Sequence, residues 1–176
     1  MWLRDYLPKD APNTRILTYG YPSKLQASTS VSILQDHTNT FVHRLIDMRE
    51  SAQCESRPII FVGHSLGCLI IKKALTGLEN MGIARSRLPV RAFIFLGAPH
   101  RGLNVTALQT LVKGEPTQKL IAELEADSAT LTDLNQGFTH IAKDVDILTC
   151  YETRSTKTAI NVGSVLNELH CQTTTN

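Results

Sequence analysis

The chain has almost no excess of charge: 18 Lys and Arg stand against 16 Asp and Glu, a net of +2 over 176 residues. Nucleic acid demands a concentrated basic surface, and here the basic residues are scattered, so that class of partner is excluded. Pairs such as Lys72-Lys73 sit inside an apolar-periodic stretch and read as the solvated face of a helix. No segment approaches the roughly 20 uninterrupted apolar residues of a membrane span. Met1-Trp2-Leu3-Arg4-Asp5 carries charge where a secretory leader needs its apolar stretch, so an intracellular chain is expected. Without an export signal, the acceptor-like triplet Asn104-Val105-Thr106 reads as chance. The four cysteines, at 54, 68, 150 and 171, lack CxxC spacing, which excludes a zinc knuckle or a redox dithiol and leaves reduced structural thiols as the expectation. Internal repeats and low-complexity blocks are also missing, and the polar stretch from Thr173 to Asn176 reads as a fraying end.

What is present is the composition of one globular domain, with 42% apolar and 19% charged residues. Arg15–Tyr21 is rich in β-formers between a Pro12-Asn13 turn and Pro22, and is predicted as a strand. From about Ser30 to Ala52 the apolar residues recur at steps of three and four, predicting a helix with one buried face. Pro58–Val62 and Ala92–Leu96 are continuous apolar runs that stop at Gly63 and Gly97, the pattern of strands covered on both faces. Leu66–Leu78 reads as helix, residues 103–143 as a more polar helical stretch, Val145–Tyr151 as a strand and Thr158–Val162 as a short last one. Alternating strands and helices of this length join by right-handed crossovers into a three-layer α/β sandwich, with a mostly parallel sheet and helices on both faces. Reactive groups in such sheets gather at the carboxyl ends of the strands: Tyr19–Tyr21, Gly63–Gly67, Gly97–Gly102 and Glu152–Arg154.

Gly63-His64-Ser65-Leu66-Gly67 is a G-x-S-x-G motif lying directly between a buried strand and a helix. A turn that tight forces Ser65 into strained backbone geometry, accommodated if residues 63 and 67 are small enough for strand and helix to pass closely. The strain lifts the serine hydroxyl out of the sheet, and the Leu66 amide in the first helical turn can donate to an oxyanion forming on an ester or thioester carbonyl. An alcohol also needs a base, usually a histidine oriented by a carboxylate. His64 adjoins the serine and should point away from it; His37 and His43 lie on a flanking helix; His100 belongs to a turn that shapes the cleft floor; His140 falls in the helical excursion. The order serine, acid, histidine along such a fold leaves His170, and Glu152 fits the acid better than Asp144 or Asp146 because it ends its strand. A flavodoxin-like binding domain is the structural alternative, but Tyr19-Gly20-Tyr21-Pro22 offers few amides to a phosphate.

Five segments in order, Trp2–Pro8, Arg15–Tyr21, Gly63–Gly67, Phe95–Gly102 and Tyr151–Thr153, resemble the serine-active-site, lipase-like branch of the α/β-hydrolases over roughly residues 2–153. The resemblance implies an esterase acting on a small-molecule or lipid acyl ester with no cofactor or metal. It also implies company with NACHT or ankyrin-repeat regions, as in fungal relatives, and a place in the cytoplasm or at mitochondrial and endoplasmic-reticulum membranes. It further implies earlier strands and a His-Gly-rich turn completing the oxyanion hole; neither falls within these residues, so the expected fold is incomplete, with residues 1–162 a partial hydrolase domain and 163–176 a divergent tail. Cys68 stands where the family has a second glycine after the motif, and Ala98 where it has threonine. An incomplete sheet should expose an edge that a protein partner covers, which makes a catalytically impaired interaction module the second reading.

Overall fold

The structure, a computed structural model, describes residues 2–21, 33–81, 88–152 and 169–174. Two short helices, α1 (Trp2–Asp5) and α2 (Leu7–Asp10), precede α3 (Leu34–Ser51), β1 (Ile59–His64), α4 (Leu66–Asn80) and β2 (Val90–Leu96). Then come α5 (Thr106–Leu111), α6 (Gln118–Glu123), α7 (Ala129–Ala142), β3 (Asp146–Glu152) and β4 (Leu169–Thr174). The four strands lie in the order β1-β2-β3-β4; the first three are parallel and β4 is antiparallel to β3.

The α/β class expected from the apolar runs holds, because each parallel pair is joined through helices that pack back on the sheet. On the covered face, Phe61, Phe93 and Phe95 stack in sequence at 6.1 and 5.5 Å between ring centres, and Phe138 of α7 meets Phe93 edge-on at 5.1 Å. Cys68, Ile71 and Leu75 of α4 complete that core. A second cluster, including Leu34, Leu69, Ile70, Ile121 and Leu131, joins α3 and α4 to the helices of 106–142. The carboxylate of Glu123 accepts the Leu34 amide at 3.0 Å, which ties α6 to the start of α3. On the opposite face of β1, Ile60 and Val62 remain 56% and 47% exposed, so the sandwich is incomplete.

Three expectations are corrected. Arg15–Tyr21 does not enter the sheet: it runs as irregular chain whose aromatic rings pack on α3, Tyr19 lying 4.9 Å from Phe41, because β-forming residues create a strand only where a ladder partner is present. Residues 169–174 form a strand against β3, although Thr173 and Thr174 read as frayed; backbone pairing holds the segment without an apolar run. Cys150 is disulfide-bonded, not reduced, and the β3–β4 register sets it opposite Cys171. The short strand expected at 158–162 and the boundary at 162/163 lie outside the described residues. Among the described residues no helix is long and apolar enough to cross a membrane.

Candidate active site

Ser65 occupies a sharp turn between β1 and α4 with φ 51° and ψ −124°, a conformation few non-glycine residues adopt. Its amide donates to the Leu96 carbonyl at 2.9 Å, and the Cys68 amide closes the first turn onto the Ser65 carbonyl at 3.1 Å. The two glycines of the motif differ in what they do. A Cβ at Gly63 would lie 3.0 Å from Cys68 Cα, Cys68 Sγ and Ile71 Cδ1, so the close pass of strand and helix requires that glycine. A Cβ at Gly67 would meet only the Tyr21 hydroxyl, at 3.7 Å, an ordinary contact. The expectation that both positions must be small is therefore corrected at 67, whose side faces a tyrosine tip rather than the strand.

The amides of Leu66 and Gly67 stand in the first turn of α4, where no earlier carbonyl of the helix can accept them. They form the positive end of a 15-residue helix beside the partly exposed Ser65. Among the described residues the Ser65 hydroxyl has no hydrogen-bond partner. The Cys68 thiol, buried one turn on, is pushed up to about 11 by desolvation, so it is a neutral packing group and no rival nucleophile.

Register places the other candidates. His64, Leu96, Cys150 and Cys171 are successive partners across the sheet, so Ser65, Glu152 and His170 all sit at the carboxyl edge of the parallel strands. Glu152 pairs with Leu169 and His170 with Tyr151, which makes the candidate acid and base neighbours across one ladder. Three strand spacings, about 14 Å, separate β4 from β1, so the backbone brings the pair to the right edge without bringing it against Ser65.

The remaining histidines sort by burial. His43, His64 and His140 are exposed. His37 is buried beneath Tyr21, ring centres 5.2 Å apart, and its carbonyl accepts the Tyr19 hydroxyl at 3.1 Å. His100 packs edge-on against Phe95 at 5.5 Å, its Nδ1 buried without a partner among the described residues; burial, with nearby Lys72, pushes the imidazole down to about 4, so it stays neutral at physiological pH. The turn that carries His100 continues through Gly102, where φ is 85° and a Cβ would lie 2.5 Å from the Glu125 carbonyl oxygen.

Lys72 overturns the solvated-face reading of the Lys72-Lys73 pair. It is only 6% exposed, turned between α7 and β2, while Lys73 takes the outer side of the helix. Tyr21, Lys72 and Asn135 are further neighbours of the site. Only Tyr21 carried a signal, since it ends a β-forming stretch aimed at the carboxyl edge.

A strained serine at a parallel strand's carboxyl end, capping the next helix, has the geometry of the nucleophile elbow found in α/β-hydrolases. The chain belongs to the family described as "Putative serine esterase (DUF676)", which residues 3–165 match. It is similar to Protein SERAC1 of Danio rerio, 29% identical over 148 residues that make up 81% of this chain and 22% of the relative. It is also similar to Protein SERAC1 of Homo sapiens, 27% identical over 177 residues, 96% of this chain and 26% of the relative. The chain thus spans about a quarter of the length of these curated relatives. Phospholipase PlaB from Legionella pneumophila shares the fold, with a TM-score of 0.55 at 17% identity, over 74% of this chain and 29% of that one.

Proposed function

We propose that the chain hydrolyses carboxylic esters of the lipase-like class by attack of Ser65. The observation that carries this reading is the left-handed backbone of a non-glycine residue between β1 and α4, a geometry that costs of order 1–3 kcal/mol and serves to present a hydroxyl. In the proposed step His170, oriented by Glu152, takes the hydroxyl proton as Ser65 Oγ bonds to the carbonyl carbon, which requires the far edge of the sheet to close the three strand spacings that separate β4 from β1. The carbonyl oxygen becomes an anion facing the Leu66 amide. Collapse expels the alcohol, which takes the proton from His170, and water then releases the acid by the same sequence. The family's description as an esterase and the phospholipase among its structural neighbours support a lipid acyl ester as substrate. On this reading the chain works in the cytoplasm or at the surface of mitochondrial or endoplasmic-reticulum membranes.

The test is a p-nitrophenyl acyl ester assay together with labelling by a fluorophosphonate probe. Turnover and rapid stoichiometric labelling at Ser65 are expected, both lost in Ser65→Ala; equal turnover by the two proteins removes the proposal. A specific observation favours a second reading, an impaired hydrolase serving as an interaction module. Among the described residues β1 is paired on one side only, beside exposed Ile60 and Val62, and such an edge suits an added partner strand. Labelling of Ser65 no faster than of a surface serine would favour this reading.

A further inference from the structure

Lys72 lies seven residues after Ser65 on α4 and is buried with no carboxylate paired to it among the described residues. Its Nζ is 4.9 Å from the ring centre of Phe138 and 5.8 Å from that of Phe95, so two aromatic faces stand where water would be. The ammonium donates to Asn135 Oδ1 at 2.9 Å, and Asn135 Nδ2 donates to the His100 main-chain carbonyl at 2.7 Å. A continuous polar chain therefore runs from the helix that begins at Ser65, through α7, to the turn at 97–102. That turn starts directly after Leu96, whose carbonyl accepts the Ser65 amide. An apolar side chain would pack here without the desolvation cost of a buried cation, which points to a use for the charge beyond filling space.

We propose that Lys72 is a positioning residue for Ser65: its ammonium, through Asn135, locks the 97–102 turn against the helix that presents the nucleophile. The role rests on the hydrolase reading above, since it concerns the same serine.

The groups facing the amine are few. Cys68 precedes it by one turn on α4 and is neutral; His100 faces it from the turn and is neutral; α7 contributes Asn135 and Phe138, and β2 contributes Phe95. Burial among them pushes the lysine down to about 8, so the lock is charge-assisted near neutrality and weakens as the proton leaves in mildly alkaline solution. Replacing Asn135 by Asp sets a carboxylate against the ammonium and should hold the proton to higher pH.

The test reads the lock without needing turnover. In the full chain, ¹³Cε signals of labelled lysine and the ¹⁵N–¹H signals of Ser65 and Leu66 are followed from pH 6 to 10, alongside Ser65 labelling by the fluorophosphonate probe. The Ser65 and Leu66 amides are expected to shift together with Lys72 near pH 8 in wild type. They should stay flat in Lys72→Met and shift at higher pH in Asn135→Asp. The Ser65 labelling rate in Lys72→Met should fall about tenfold to a hundredfold at pH 7, with its alkaline limb gone. Amides that do not titrate with Lys72, or that titrate identically in all three folded proteins, overturn the proposal. If the amides respond while wild-type Ser65 never labels, the lock stands and the hydrolase reading fails.

Discussion

Ser65 and His170 reach the same sheet edge by opposite routes. Ser65 is held by groups within a few residues of it: the Gly63 close pass, the positive φ, the Cys68 amide on its own carbonyl and one cross-strand bond to Leu96. His170 is held by a backbone ladder to β3, in a strand with no apolar run of its own and three spacings away from β1. The geometry of Ser65 is therefore a local property of α4 and β1, whereas the positions of Glu152 and His170 depend on how the far edge of the sheet is kept. Damage to the far edge should remove rate and leave the fold; damage near Ser65 should cost both.

The largest effect that tests this contrast is His170→Asn. Loss of the base should lower the rate of Ser65 labelling by about 10⁶-fold, as for the histidine of other serine triads, while the urea midpoint stays near wild type. Glu152→Gln should follow in the same direction with a smaller loss. A normal labelling rate in His170→Asn would assign the base elsewhere and reduce the β4 ladder to a structural edge.

Next comes Gly63→Ala, which strikes the local side. The added methyl must push Cys68 Cα, a backbone atom, as well as Cys68 Sγ and Ile71 Cδ1, all 3.0 Å away. Overpacking of this kind costs typically about 1–3 kcal/mol, and the shift is passed to Ser65 two residues on. Denaturant unfolding and Ser65 labelling should fall together; an unchanged midpoint would mean that the strand and helix have slack the packing does not show.

These contrasts follow what was legible in the sequence. Continuous apolar runs showed β1 and β2 because buried parallel strands leave that mark, and the G-x-S-x-G motif showed the turn at Ser65 because its geometry is local. Pairing that depends on distant partners left no such mark. Arg15–Tyr21 has strand-forming residues and no ladder, while Leu169–Thr174 has a ladder and few strand-forming residues. Lys72 was misread for the same reason: its aromatic neighbours are 23 and 66 positions away, at Phe95 and Phe138, and a charge in an apolar-periodic stretch points outward unless such partners are known.

The two displaced bases give a pH signature of smaller size. His100 is pushed down to about 4 and Lys72 to about 8, so in each case the unfolded chain holds a proton that the fold does not. For His100 that window runs from its ordinary 6.5 down to about 4: its contribution is fully present above the window and is lost as the pH falls through it. For Lys72 stability should rise with pH between about 8 and the ordinary 10.5. Urea midpoints of wild type and His100→Leu, measured from pH 7 to 4, should therefore move in favour of the variant as acid is added. Parallel curves would show that the imidazole is not held neutral by its burial.

The smallest effect is the most direct check on the two glycines. Gly67 lies in the first turn of α4, makes no close backbone contact and needs no left-handed conformation, so Gly67→Ala should gain helix stability, by at most roughly 0.5–1 kcal/mol. That corresponds to a rise in Tm of about 2–4 °C for each kcal/mol in a chain of this size. The new methyl would touch the Tyr21 hydroxyl at 3.7 Å without displacing it, and the first-turn amides should keep their direction. If Gly67→Ala instead melts lower or slows Ser65 labelling as Gly63→Ala does, both glycines serve the close pass and the distinction drawn between them is wrong.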